Sequence, residues 1–146
     1  MTKVIPVVLV ALIAVFFLGC NKDKFATKPK IEVKDYSSKD IPKNGGITIR
    51  LTYFDKEGDL GKGNFFAVRY RTNLFPPSQD KADTLNYALP EFPNKDKGEI
   101  SMQLDYSFLS ESLVENDSMY FRIAVTDIKG NASDTIKTAP IVVHFQ

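Results

Sequence analysis

The chain of 146 residues has no tryptophan, one histidine and one cysteine. A single cysteine excludes an internal disulfide framework and any cysteine-cluster metal site. A single histidine, His144, removes the usual zinc spacings and the usual nucleophile–base pairs. Lying between Val143 and Phe145, it reads as a structural residue of a terminal strand. Neither sign of charge dominates: 19 basic and 18 acidic side chains leave a formal net charge of +1. The electrostatic footprint of a nucleic-acid binder is therefore missing. No phosphate-cradling glycine loop occurs, and no motif demands a cofactor. The length suits one domain, and the chain is not expected to be an enzyme.

Long apolar runs are also scarce, with one exception. Met1-Thr2-Lys3 is followed by 15 residues, Val4 to Leu18, without a polar side chain, and then by Gly19-Cys20. A basic start, a short apolar run and a small residue make a secretory signal. The run is shorter than the roughly 20 apolar residues that span a bilayer, and Pro6 weakens a spanning helix.

Phe17-Leu18-Gly19-Cys20 resembles the lipobox of bacterial lipoproteins, with Phe17 where an aliphatic residue is usual. The resemblance implies a diacylglyceryl thioether on Cys20, cleavage after Gly19, and a membrane anchor of several acyl chains such as palmitate, where one chain would bind only marginally. Asn21-Lys22-Asp23-Lys24 resembles the export signal of surface lipoproteins in Bacteroidota, although one acid stands where two are usual. The expected place is the outer membrane, with surface exposure the finer expectation. Lys3 carries the only charge in residues 1–19, so the remaining chain is neutral. Its apolar share falls below the 43% of the whole, yet suffices for a small β domain. Residues 20–30, rich in lysine, read as a solvated tether.

From residue 31 onward the pattern has a period of two. Ile47, Ile49, Leu51 and Tyr53 alternate with polar residues, as do Ile100, Met102, Leu104 and Tyr106, then Phe121, Ile123 and Val125, and finally Ile141, Val143 and Phe145. In the stretch 66–71, Phe66, Val68 and Tyr70 read as the inward set and Ala67, Arg69 and Arg71 as the outward set. Residues 84–89 make a weaker strand and Ile31 to Val33 a candidate first one. Turns fall at Asn44-Gly45-Gly46, Glu57-Gly58-Asp59, Pro76-Pro77, Lys97-Gly98 and Lys129-Gly130-Asn131. Only Tyr106 to Asn116, through Leu109 and Leu113, has helical spacing. The expectation is all-β: an antiparallel two-sheet sandwich of about seven strands, Ig-like or fibronectin-III-like in architecture. It occupies 31–146, behind a signal at 1–19.

Two further segments carry a resemblance. Tyr53-Phe54-Asp55-Lys56-Glu57-Gly58-Asp59-Leu60-Gly61 resembles the "F-x-D-x-D-G-D-hydrophobic-G" segment of small Bacteroidota lipoproteins. Residues 120–133, Tyr-Phe-Arg-Ile-Ala-Val-Thr-Asp-Ile-Lys-Gly-Asn-Ala-Ser, resemble the final hairpin of bacterial Ig-like domains. With the lipobox, these imply a small Bacteroidota lipoprotein with an Ig-like sandwich. They imply fold and location, not activity.

Several residues carry candidate chemistry. Asp55, Glu57 and Asp59 alternate around Gly58, a spacing that can wrap calcium, with Asn64 and Asp127 as further ligands if the loops meet at one end. The simpler reading is an acidic turn. The four arginines, Arg50, Arg69, Arg71 and Arg122, all fall at outward positions; an anion site competes with pairing to acids such as Asp105 or Glu99. Phe75, Tyr87 and Phe92 can contact a sugar or protein, or plug the sandwich. Thr84, Ser118 and Thr135 each follow aspartate and precede a hydrophobic residue, which resembles the O-glycosylation pattern of Bacteroidota. The functional expectation is a lipid-anchored, non-enzymatic binding or structural module of the envelope, whose partners are the membrane and other envelope proteins or glycans. A calcium-stabilised adhesion or glycan-binding domain is the first alternative. A small carboxylate-dependent hydrolase is the second, though nothing in the sequence places two acids in one cleft.

Overall fold

The computed structural model describes residues 27–75, 83–93 and 95–145. Nine strands follow in order: β1 (Lys30–Tyr36), β2 (Asp40–Ile41), β3 (Gly46–Phe54), β4 (Asn64–Arg71), β5 (Thr84–Ala88), β6 (Lys97–Asp105), β7 (Asp117–Thr126), β8 (Ile136–Lys137) and β9 (Ile141–Val143). One helical turn, α1 (Tyr106–Leu109), joins β6 to β7. One sheet has the order β1-β3-β6, the other β2-β9-β7-β4-β5, with β8 also on β7. The two sheets pack against each other as a sandwich.

Alternation explains the core. Ile47, Ile49, Leu51 and Tyr53 of β3 and Ile100, Met102 and Leu104 of β6 face inward. They meet Met119, Phe121, Ile123 and Val125 of β7 and Ile141 and Val143 of β9, all fully buried. Each strand thus offers one apolar face to the other sheet and one polar face to solvent. Pro140 has no N–H to donate to a ladder and stands between β8 and β9, which divide the C-terminal edge of the sheet.

The strands place two ends. At the near end lie Lys28, the 55–63 loop, residues 89–93 and 95–96, and the 127–135 segment. At the far end lie the 37–45 turn, residues 72–75, α1 and the 110–116 loop. Pro29 is buried and Lys28 pairs with Asp134 at 2.5 Å, so the sandwich already involves residues read as tether.

The nine strands include β2, β8 and β9, pieces of two or three residues, so the expected count of about seven stands. Three expectations change. The sheet is not wholly antiparallel, because β2 pairs with β9 in parallel. The helical stretch stops after α1, and Leu113 is exposed rather than packed. The phase of β4 is inverted: Phe65, Ala67 and Arg69 face inward, while Phe66, Val68 and Tyr70 face outward. The Phe66 phase of β4 is apolar at all three positions and the Phe65 phase at two, so hydrophobicity alone does not choose the observed face. The neighbours do: Ala67 pairs with Ile123 and Leu85, two large inward residues between which a small side chain fits. Outside, Tyr70 stacks on Tyr120 at 5.1 Å, with Lys137 3.9 Å over the Tyr120 ring.

Gly63, at the turn into β4, has no room for a side chain: an added Cβ would lie 1.9 Å from the Thr126 carbonyl oxygen. Gly63→Ala is expected to destabilise the fold by about 1–3 kcal/mol, read as a lower urea midpoint at unchanged slope.

Candidate functional site

Chemistry-bearing residues gather at both ends of the sandwich. At the near end the 55–60 and 127–131 turns meet, and the Ile128 N–H bonds the Asp59 carbonyl at 3.4 Å. Gly58 adopts φ 68°, the left-handed conformation that a glycine turn allows. One carboxylate oxygen from each of Glu57, Asp59 and Asp127 lies within 4.8 Å of the others. Asp127 is buried and accepts bonds from the Lys129 and Asn131 N–H groups and from the Asn131 side-chain amide, at 2.7–2.9 Å. The Lys129 ammonium sits 2.9 Å from Glu57 and 3.0 Å from Asp59, and these two carboxylates raise its pKa. Asp55 is buried, and its Oδ1 accepts the Glu57 N–H at 3.3 Å. Burial pushes its carboxyl above the ordinary range, with the Asp59 charge adding to the push. The loops named in the sequence do meet, with Asp127 in the cluster and Asn64 exposed at the start of β4.

At the far end two arginines enter the interior. Arg69 has no exposed side-chain surface. Its Nε donates to Asp83 Oδ1 at 2.8 Å and its Nη1 to the Phe108 carbonyl at 2.6 Å, and its Nη2 lies 3.5 Å from Glu111. The guanidinium also lies 4.4 Å over the Phe108 ring. Arg71 reaches Glu111 at 2.7 Å and Asp117 at 3.8 Å. Asp117, fully buried, accepts the Glu111 and Ser112 N–H groups at 2.7 and 2.9 Å. Arg122 registers with Val68 on the outer face, so it does not share a face with Arg69 and Arg71. Arg50 pairs with Asp35 at 2.6 Å, while Glu99 pairs with Lys34. Arginine–acid pairing therefore runs to Asp35, Asp83, Glu111 and Asp117 rather than to the acids named from sequence. No sequence signal connects Asp83, Glu111 and Asp117, which come from three separate segments.

This buried network braces two loops that expose apolar side chains. Leu74 and Phe75 are 84% and 67% exposed, and Leu113 and Val114 are 89% and 70% exposed. The loops are joined by the Phe75 N–H to Glu115 at 2.7 Å and by Asn73 to Asp117 at 3.2 Å. Adjacent exposed apolar residues on braced loops are features of an interaction surface. At the same end His144 contacts Asp40 at 2.5 Å and Asn116 at 3.1 Å, tying the β9 end to its neighbours.

The three aromatic candidates do not form one site. Phe75 is at the far end, whereas Tyr87 and Phe92 border a groove of about 410 Å³ between edge strands β5 and β6. Phe92 stacks on Tyr53 at 5.5 Å, capping the core there. Thr84 and Thr135 are exposed. Ser118 is half-buried in β7 and accepts a bond from Thr72 Oγ1 at 2.8 Å, beside fully buried Asp117. Cys20 and the signal segment lie outside the described residues.

The chain matches no protein-family model, no curated protein and no solved structure. Removing one partner of a buried ion network leaves the others uncompensated. Arg69→Ala is therefore expected to cost about 3–5 kcal/mol in urea unfolding, and Arg122→Ala, on the outer face, to change stability by no more than about 0.5 kcal/mol.

Proposed function

We propose that this protein is a lipid-anchored envelope lipoprotein whose sandwich serves as a non-enzymatic binding module. The observation that carries the binding reading is the far-end cluster of Leu74, Phe75, Leu113 and Val114, exposed on loops braced from beneath by Arg69, Arg71 and Asp117. Holding large apolar side chains in water lowers solubility without stabilising the fold, so a partner that covers them is the simplest reason for their place. The anchor reading is supported by the sole cysteine, set directly after the apolar run and Gly19. β1 starts at Lys30, at the end of the sandwich opposite the apolar loops. The far-end acids Asp83, Glu111 and Asp117 are engaged by arginines and backbone N–H groups, which favours a structural role for them over a catalytic one. On this reading the partner is another envelope protein with an apolar recess, and the outer membrane is the place of action.

Two measurements test the proposal. Cells fed a labelled fatty acid are expected to label this protein, and Cys20→Ser is expected to abolish the label; label that survives the substitution overturns the anchor. A photo-crosslinker at Leu113 is expected to give a discrete adduct in intact cells, and one at Ala132, near the other end, none. Absence of any adduct at Leu113 overturns the far end as the binding surface.

A further inference from the structure

We propose that the outer face of β4, β7 and β8 is a docking surface for a partner protein that presents carboxylates among apolar side chains. Alternation sets Phe66, Val68 and Tyr70 of β4 beside Tyr120, Arg122 and Ala124 of β7 on this face. Lys137 of β8 is the cross-strand partner of Arg122. Residues paired directly across a ladder point to the same side, and like charges so placed destabilise a sheet. Both cations are exposed, and among the described residues neither has an acidic partner. Each lies over a ring instead: Arg122 6.0 Å over Tyr70, and Lys137 3.9 Å over Tyr120. The outward positions of β4, β5, β7 and β8 hold no acid. Asp83 and Asp117, at the margin of the face, are engaged by Arg69 and Arg71.

The other sheet shows how this chain treats a face turned to water. There Lys30 pairs with Glu32, Lys34 with Glu99 and Arg50 with Asp35. Cations are matched within the chain on that side and left unmatched on this one. The adjacent Arg122 and Lys137 cost the free protein stability, and an incoming carboxylate relieves that repulsion. An arginine fork also takes a carboxylate through two parallel N–H bonds. Tyrosine and arginine are the side chains enriched at the centres of protein interfaces, and Phe66 and Val68 add apolar surface beside them. Tyr70 and Tyr120 stack on each other at 5.1 Å and each carries a cation, so the ring faces that a sugar or a base would stack on are already taken. Two cations also fall short of the several phosphate contacts that hold a nucleic acid. A second copy offering the same face would set Arg122 and Lys137 against like charges. The occupant that matches the face is therefore an acidic protein surface.

The face rests neither on the anchor nor on the far-end loops, and its test reads separately from theirs. The full chain, purified in detergent, is titrated into a fluorescent peptide rich in glutamate and leucine, and binding is followed by anisotropy. A matched peptide with glutamine for glutamate, polygalacturonate and a single-stranded oligonucleotide are measured beside it. Saturable binding of the glutamate peptide, weakened by salt and absent with the glutamine peptide, is expected. Arg122→Glu and Lys137→Glu are each expected to weaken it by about tenfold or more. Each removes the like-charge pair, so Tm is expected to hold or rise, which separates lost binding from lost folding. Lys43→Glu, an equal change of charge in the 37–45 turn, is expected to leave binding unchanged. No saturable binding, or affinity that both reversals leave intact, overturns the face. Equal weakening by Lys43→Glu overturns the assignment to Arg122 and Lys137. Tighter binding of polygalacturonate or the oligonucleotide, charge for charge, overturns the choice of a protein partner.

Discussion

The Arg69 guanidinium holds the far half of the molecule together. It lies inside the sandwich with no exposed surface, and such a cation persists there only if its donors are met. Asp83, the Phe108 carbonyl and Glu111 meet them, which draws the segment before β5, the end of α1 and the following loop onto one strand. Arg71 and Asp117 extend the same network to the start of β7. The inward phase of β4 depends on this arrangement. Turning β4 over would expose Phe65 and bury Tyr70 and Arg122's neighbours, and it would strand the acids.

The two ends of the sandwich answer charge in opposite ways. At the far end Arg69 and Arg71 point inward and acids close around them. At the near end Glu57, Asp59 and Asp127 gather in two turns, and the half-exposed Lys129 reaches Glu57 and Asp59. The first arrangement ties the loops to β4 through ion pairs and hydrogen bonds. The second is a surface ion cluster, in which Lys129 pairs with Glu57 and Asp59.

Much of the architecture was legible because period-two alternation is a direct consequence of strand geometry. Ile47 to Tyr53, Ile100 to Leu104 and Phe121 to Val125 could bury one face in only one way. β4 was not legible, because Phe65 and Phe66 offer both phases and an arginine scores as polar wherever it ends up. The helical spacing through Leu109 and Leu113 misled because one apolar pair over four residues does not decide how far a helix continues; the chain turns at Ser110, and Asp117 captures the loop N–H groups instead. Of the near-end acids, the alternation around Gly58 was visible, and Asp127 was visible as a neighbour only if the loops met. The involvement of Lys129 was not, since a lysine in a turn reads as a solvated side chain.

By itself the sequence determined the class of fold, the inward faces of β3, β6 and β7, the turns at 44–46, 57–59 and 129–131, and the isolation of Cys20 behind an apolar run. These are local properties, set by spacing along the chain. Only the tertiary structure decided which acids meet which arginines, that β4 turns Arg69 inward, that Glu57 and Asp59 share a corner with Asp127, and that the loops carrying the exposed Leu74, Phe75, Leu113 and Val114 are joined. Each of those is a meeting of segments separated by tens of residues, and the energy that selects it, burial of charge with its partners, exists only once the two sheets have closed.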